Sequence, residues 1–448
     1  MSRHLYLPIE IGSRELASKT LVASVAAEAG YNVVIGFQHT LFFNAGKLPP
    51  GVFLSKSSNN AFLQSVRGLG QSGHLVVASE EEHFGYCSAD ALISNTSQFL
   101  KGRCDLYLCI GNDEAAYMKQ RFGSDFPLVV TGNARTDLLR PRLRGLYAQD
   151  AADVRQQNGK FILFNTNFGL TNPVNRQDLK HFFLLWAQLG LFQSDGQLEN
   201  RKHFDAFVAH ERANQQLVRE LLKMLAKYPE IPVIVRPHPV EYAETWTLYV
   251  RELDASHIKV APRTAHVPFM LASELTVHPG CTTGMEALAL GVPALSLVGD
   301  DQSPLNAAWV SNVVNPTETT AVEALATIKN HWSGGDKIRS QQEALRKKLD
   351  HYLADASADT LSAEKIVDAC TKLLDTNERH LPKDSRRVAT VRWQADPAAQ
   401  NKYFAEKYGV TDQSLKDTLA SLGAALNRFG DVRIKKLFAD AYLIERAT

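Results

Sequence analysis

The sequence predicts an α/β protein: two doubly wound domains followed by a helical C-terminal extension. Three observations carry this. Short apolar strands alternate with amphipathic helices from His4 onward, the pattern of parallel sheets covered by crossover helices. A polar stretch over 141–159 interrupts the series, and a second strand–helix series starts at Phe161. After Pro382 the composition becomes basic and partly aromatic. The boundaries read as 1–145, 146–375 and 376–448.

The chain has 448 residues, with 49 Lys plus Arg against 48 Asp plus Glu, a net charge of +1. That balance excludes bulk nucleic-acid binding and an overall membrane-seeking surface. The five cysteines form no CxxC pair and no cluster with histidine, which fits reduced thiols of a cytoplasmic protein. Glu10, Arg14 and Glu15 break the N-terminus before any signal-peptide core, and no run reaches the ~20 apolar residues of a membrane span.

In chain order, His4–Glu10 reads as a strand, Arg14–Gly30 as a helix and Gly30–Gly36 as the next strand. The first turn lacks the GxGxxG glycines, so a dinucleotide is not expected there. Glu10 and Arg14 instead suit a substrate or acceptor site, or a solvated loop. Val52–Leu54 is a short strand, followed by a predicted helix over 60–71. His74–Ser79 empties into Glu80-Glu-Glu-His83, where Glu81 is a candidate base or nucleophile. Cys104–Gly111 and Asn112–Phe122 repeat the strand–helix unit. A strand from Leu128 opens into Gly132-Asn133, with Arg135 and Asp137 within one turn: an ion pair of the frame or groups facing a substrate.

The second series starts with Phe161–Phe168, whose end offers Asn165 and Asn167 to a sugar or phosphate edge. The stretch after Gly169 reads as an insertion lining the site, and His203–Tyr228 as a long helix. Ile231–Pro239 delivers Arg236 and His238 on a proline-stiffened strand tip, a good phosphate contact. Leu275–Leu297 reads strand, turn, helix, turn, strand. Its His278-Pro-Gly280 turn and Thr282, Thr283 and Glu286 open the helix. A helix entered this way aims unpaired N–H groups and the positive end of its dipole at one spot. Glu286 suits a sugar or ribose hydroxyl. Helices follow over 319–330, 335–352, 362–377 and 413–429. Arg386, Arg387, Arg392 and Trp393 mark a basic tail that suits either an ordinary surface or peripheral contact with a membrane or a lipid-linked acceptor.

Several motifs together resemble one family. They are Leu7–Glu10 with Arg14–Leu16, Thr131–Leu139, Phe164–Phe168, Arg236–Pro239 and the 278–287 run. They resemble the bacterial surface carbohydrate biosynthesis protein family, of GT-B glycosyltransferase type. Ala134 stands where such sequences often have proline. The resemblance implies two Rossmann-like domains facing a cleft. It also implies sugar transfer from a nucleotide-sugar donor to a glycan or lipid-linked acceptor in capsule or lipopolysaccharide synthesis, in the cytoplasm or peripherally at the inner membrane. The paired His-Pro elements are similar to those of transferases that use CMP-activated Kdo or sialic acid, with His238 and His278 facing the phosphate. On this reading no metal or other cofactor is needed, and Glu10, Glu81, Asp137 and His238 are the catalytic candidates. Two alternatives stand beside it: a UDP-N-acetylglucosamine 2-epimerase-like enzyme and a non-catalytic sugar-nucleotide-binding scaffold.

Overall fold

A computed structural model describes residues 3–59, 66, 68–86, 88–188, 192, 196–262, 265–354, 359–377, 387–396 and 406–447. Most of the helix predicted over 60–71 and Arg386 of the tail lie outside the described residues. The chain forms two compact units. Unit 1 comprises Met1–Glu81, Thr96–Leu146 and Asp350–Thr448, and unit 2 comprises Glu82–Asn95 and Tyr147–Leu349.

Unit 1 is built on an eight-stranded sheet. Its strands are β1 (Arg3–Ile9), β2 (Tyr31–Phe37), β3 (Val52–Leu54), β4 (Leu75–Ser79), β5 (Leu106–Cys109), β6 (Leu128–Val130), β13 (Val432–Phe438) and β14 (Ala441–Arg446), in the order β13-β14-β2-β1-β3-β4-β5-β6. Strands β1 to β6 are parallel, and β1 to β5 are buried almost throughout, so they read as near-continuous apolar runs. The helix Gly12–Glu28 opens with its own carboxylate: Glu15 accepts from the amides of Glu10 and Ile11 at 3.0 and 3.1 Å. Two N–H groups that the helix start leaves unmade are thereby satisfied.

Two expectations are corrected here. The stretch after 376 is not a separate helical extension, because β13 and β14 form a hairpin that pairs antiparallel with β2. The helix Ser362–Asn377 belongs to unit 1 rather than to the second domain. Ile366, Val367 and Cys370 bury against Leu21, Val22 and Val25 of the Gly12–Glu28 helix in one core. The tail also lies on unit 1: Trp393 stacks on Phe438, and the Gln394 amide donates to Asn44 Oδ1 at 2.9 Å.

Unit 2 carries a six-stranded sheet: β7 (Ile162–Asn165), β8 (Val233–Arg236), β9 (Ile258–Val260), β10 (Leu275–His278), β11 (Ala294–Leu297) and β12 (Thr317–Glu318). The order is β12-β11-β10-β7-β8-β9, all parallel. The long helix Gln197–Leu225 contributes Val218, Leu221, Leu222 and Leu225 to its core. Among the described residues no helix is long and apolar enough to cross a membrane.

Candidate functional site

The predicted residues fall into two groups, one in each unit. In unit 2 the register of the sheet lines up four strand ends. Asn165 of β7 pairs with Arg236 of β8, and His278 of β10 pairs with Ser296 of β11. Val277 pairs with Phe164, which brings the residues that follow them, His278 and Asn165, to the same level. Side chains in one row of a parallel sheet share a face. The row therefore reads Arg236, Asn165, His278, Ser296 at the carboxyl ends of the strands, where open α/β sheets bind ligands.

The helix Thr283–Leu290 starts beside this row. Gly280 takes φ +72°, and a Cβ there would lie 2.7 Å from the Ala307 carbonyl oxygen, so only glycine suits the turn. Asn167 ties the turn to the β7 loop by donating from Nδ2 to the Gly280 carbonyl at 3.1 Å. Thr282 stands half-buried at the N-cap and makes no side-chain cap. Thr283 turns inward, where its hydroxyl and amide face the Cys281 thiol. Glu286 meets His266 Nε2 through Oε2. Asn165 is orphaned on both polar atoms: it is 1% exposed, and neither its amide oxygen nor its nitrogen has a partner among the described residues. A buried amide left this way costs about 1–3 kcal/mol unless a ligand or water completes it.

His278 differs from expectation. It is fully buried, with Nδ1 accepting from the Cys281 amide at 3.5 Å. Its ring lies against Gly284, where an added Cβ would come within 2.2 Å of Nε2. Burial pushes its pKa down to about 3, so the imidazole is neutral. It shapes the turn from below and carries no charge to a phosphate. Arg236 is 7% exposed; burial lowers its pKa, against the opposing pull of Cys281 and Glu286. His238 is half-buried on the following turn. Its amide donates to Glu241 at 3.0 Å, and its Nδ1 accepts from the Val240 amide at 3.3 Å. Glu241 is fully buried and also accepts from Thr166 Oγ1 at 2.5 Å and Trp246 Nε1 at 2.8 Å. That hub fixes the Arg236–His238 tip and was not visible in the sequence.

In unit 1 the carboxylates are already engaged. Lys56 Nζ bridges Glu10 and Glu15, each at 2.7 Å. Burial pushes the Glu10 carboxyl up, but Lys56, helped by Lys407 and His39, brings it below its ordinary value. Glu81 pairs with Lys19 at 2.9 Å, both nearly buried. Burial raises its pKa as well, and Lys19, then Arg135 and Lys56, outweigh it to a net lowering. Arg135 lies half-buried with Nη1 3.5 Å from the Glu81 carbonyl, and Arg14 is exposed on the first turn of its helix. Asp137 is drawn elsewhere. It is fully buried, accepts from the amides of Ser362 and Ala363 at 3.0 and 2.9 Å, and pairs with Arg140 at 2.9 Å. Its two oxygens cap the Ser362–Asn377 helix, so it belongs to the frame. A small pocket lined by Ser18, Lys19, Ser79, Glu81 and Asn133 lies at the strand ends of this unit. Lys19 and Lys56 were missed; the only signal was a lysine inside the otherwise apolar and small-residue run from Leu16 to Ala27.

The Lys19–Glu81 pair gives a prediction with a defined sign. A carboxyl whose folded pKa lies below its unfolded one stabilises above the unfolded value and loses that contribution as pH falls through the folded value. Lys19→Met removes the cation that does most to hold the Glu81 carboxyl down. Wild type and variant therefore differ most in Tm near neutral pH, and the gap narrows as pH drops below about 4.3, the ordinary glutamate value. Melting curves from pH 3 to 7 check this; a gap independent of pH would contradict it.

Among the described residues no group of three His, Cys, Asp or Glu is placed to hold a metal ion. No family model matches the sequence, and no curated protein matches it. Solved structures do. The UDP-GlcNAc 2-epimerase of Methanocaldococcus jannaschii, in complex with UDP-GlcNAc and UDP, is similar over 83% of this chain and 100% of that one, at 10% identity and TM-score 0.50. The fold is GT-B-like. Two others are the UDP-GlcNAc 2-epimerase of Neisseria meningitidis bound to UDP-GlcNAc (11% identity, 83% and 100% covered, TM-score 0.49) and Anabaena Alr3699/HepE with UDP and glucose (12%, 83% and 100%, TM-score 0.45). At these identities the likeness concerns the fold.

Proposed function

We propose that unit 2 binds a nucleotide-sugar and that the chain is a glycosyltransferase. The orphaned, fully buried Asn165 amide carries the reading. It sits in register with Arg236, beside a helix start whose outward residue is Thr282. A buried guanidinium, an unpaired amide and a helix dipole form a preorganised anion site. The phosphate lies at this row, held by Arg236, Asn165 and the helix start at Thr282; His238 borders it, and Glu286 takes a sugar or ribose hydroxyl. Such a site stabilises a leaving phosphate by charge and hydrogen bonds alone, the basis for proposing metal-independent transfer.

The acceptor is a glycan or lipid-linked glycan. Glu10 and Glu81 are the carboxylates proposed to act on the transfer. Both are held ionised by lysines, which favours attack on or stabilisation of an electron-poor anomeric carbon over proton abstraction at neutral pH. The finer donor proposal is CMP-Kdo or another CMP-ulosonate, used in lipopolysaccharide or capsule synthesis; its support is the sequence resemblance of the two His-Pro elements, of which His238 alone borders the phosphate. A second reading is favoured by the epimerase likeness: a UDP-N-acetylglucosamine 2-epimerase-like enzyme needing no acceptor. Product analysis separates them. Incubation with CMP-Kdo and a lipid A-type acceptor is expected to yield a new glycoside. Conversion of UDP-N-acetylglucosamine to its 2-epimer without acceptor would replace the transferase reading. Binding without turnover of either would leave a sugar-nucleotide-binding scaffold.

A further inference from the structure

The helix Leu179–Gln188 is apolar except for Lys180, His181 and Gln188, yet none of its side chains is buried. The apolar helix Thr283–Leu290 of the same unit, by contrast, buries Met285, Ala287, Leu288 and Leu290. A helix apolar around most of its circumference belongs inside a protein or a membrane. One stripe of Leu179–Gln188 is occupied. Phe183 and Trp186 meet Phe204 of the helix Gln197–Leu225 with ring centroids 5.5 and 5.2 Å apart, and Trp186 meets Phe207 at 5.3 Å. Outside that stripe the two helices are open: Leu184 is 50% exposed, and Leu198 is 69% exposed.

The charge left over around these leucines is positive. Lys180 with Leu184, and Leu198 with Lys202, stand at i,i+4, the spacing that puts two side chains on one helix face. Both lysines are exposed, and neither has a partner among the described residues. The neighbouring charges are engaged. Asp178 accepts from the His181 amide at 2.8 Å, Arg201 pairs with Asp205 at 3.0 Å, and Arg176 lies over the Tyr242 ring at 4.2 Å. Glu199, in the first turn of the longer helix, also has a partner, and Asp195 lies outside the described residues.

An open apolar face with two unpaired cations on it matches a surface that is apolar within and anionic at its rim. The interface of a bilayer with anionic headgroups is such a surface. Leucine and aromatic side chains enter the acyl boundary, and lysines reach back to the phosphates along their apolar stems. At 1.5 Å per residue the helix is about 15 Å long, roughly half the bilayer core, so it lies in the interface and does not cross. We infer that the helix Leu179–Gln188 and the start of the helix Gln197–Leu225 dock unit 2 onto an anionic lipid bilayer. The tail expected from the sequence to make such a contact lies instead on unit 1, with Trp393 stacked on Phe438. The docking surface is independent of the nucleotide site.

The test is co-sedimentation of the full chain with vesicles of phosphatidylcholine alone and of equimolar phosphatidylcholine and phosphatidylglycerol. Wild type is expected to bind the anionic vesicles more than about tenfold better than the neutral ones. Leu184→Asp/Leu198→Asp, at two exposed positions, is expected to lose at least about tenfold of that binding with an unchanged melting temperature. Lys180→Ala/Lys202→Ala is expected to remove most of the preference for anionic vesicles, whereas Arg387→Ala/Arg392→Ala in the tail stays within about twofold of wild type. Absence of wild-type binding to either vesicle, or undiminished binding by the leucine variant, would overturn the inference. Loss of binding in the tail variant alone would overturn it by moving the contact to the tail. Light scattering that showed a wild-type dimer and a monomeric leucine variant would also overturn it, because a second copy would then cover the face.

Discussion

Asp137→Ala lowers the stability of unit 1 by about 3–5 kcal/mol, the range for removing one partner of a buried ion pair. Asp137 is fully buried, pairs with Arg140 and accepts from two amides at the start of the Ser362–Asn377 helix. Removing it leaves the Arg140 guanidinium without its buried carboxylate and strips that helix of its cap, itself worth about 1 kcal/mol. Because the bonds link residues more than 220 positions apart, the loss frees the returning C-terminal segment from the core. Chemical denaturation is expected to show a lower midpoint. Ligand affinity in unit 2, measured well below the transition, stays at the wild-type value. A catalytic Asp137 would give the opposite pattern, full stability with activity lost.

Gly284→Ala has the second large effect. The new methyl would stand 2.2 Å from Nε2 of His278, which is fully buried. Overpacking of this kind costs about 1–3 kcal/mol. The strain falls on the first turn of the helix Thr283–Leu290, so nucleotide affinity is expected to drop more than tenfold. The double variant Gly284→Ala/His278→Ala removes the clash. It is expected to be more stable than the two single losses predict when added, the signature of residues in contact. Strict additivity would show that the ring and the glycine do not meet as described.

The strand ends were legible because buried parallel strands write themselves as apolar runs that stop at polar residues. Val233–Arg236 and Leu275–His278 are such cases, and Asn165 was found the same way. Direction of a side chain was not legible. His238 and His278 have the same His-Pro surroundings in sequence, yet one is half-buried at a strand tip and the other is sealed beneath a helix turn. Asp137 and Arg135 sit two residues apart on one turn, where a helix sends them in different directions. Partners distant in sequence were also hidden: Lys19 with Glu81, His266 with Glu286, and Asp137 with Ser362. The C-terminal hairpin was missed although its alternation was present. Val432, Ile434 and the run Tyr442-Leu-Ile444 are strand-like, but a sheet edge more than 390 residues earlier has to be known before they have a place.

The nucleotide reading of unit 2 depends on the row Arg236, Asn165 and the helix start beside it holding a nucleotide phosphate. The most direct measurement is a thermal-shift series of wild type and Arg236→Ala with CMP, UDP, GDP, ADP and dTDP. At 100 times its dissociation constant a ligand adds about 2.7 kcal/mol of stability. A clear upward shift of wild type with CMP, and none in Arg236→Ala, is the expected result. A shift with UDP instead would move the donor to a UDP-sugar. No shift of wild type with any of the five would contradict phosphate binding at this row.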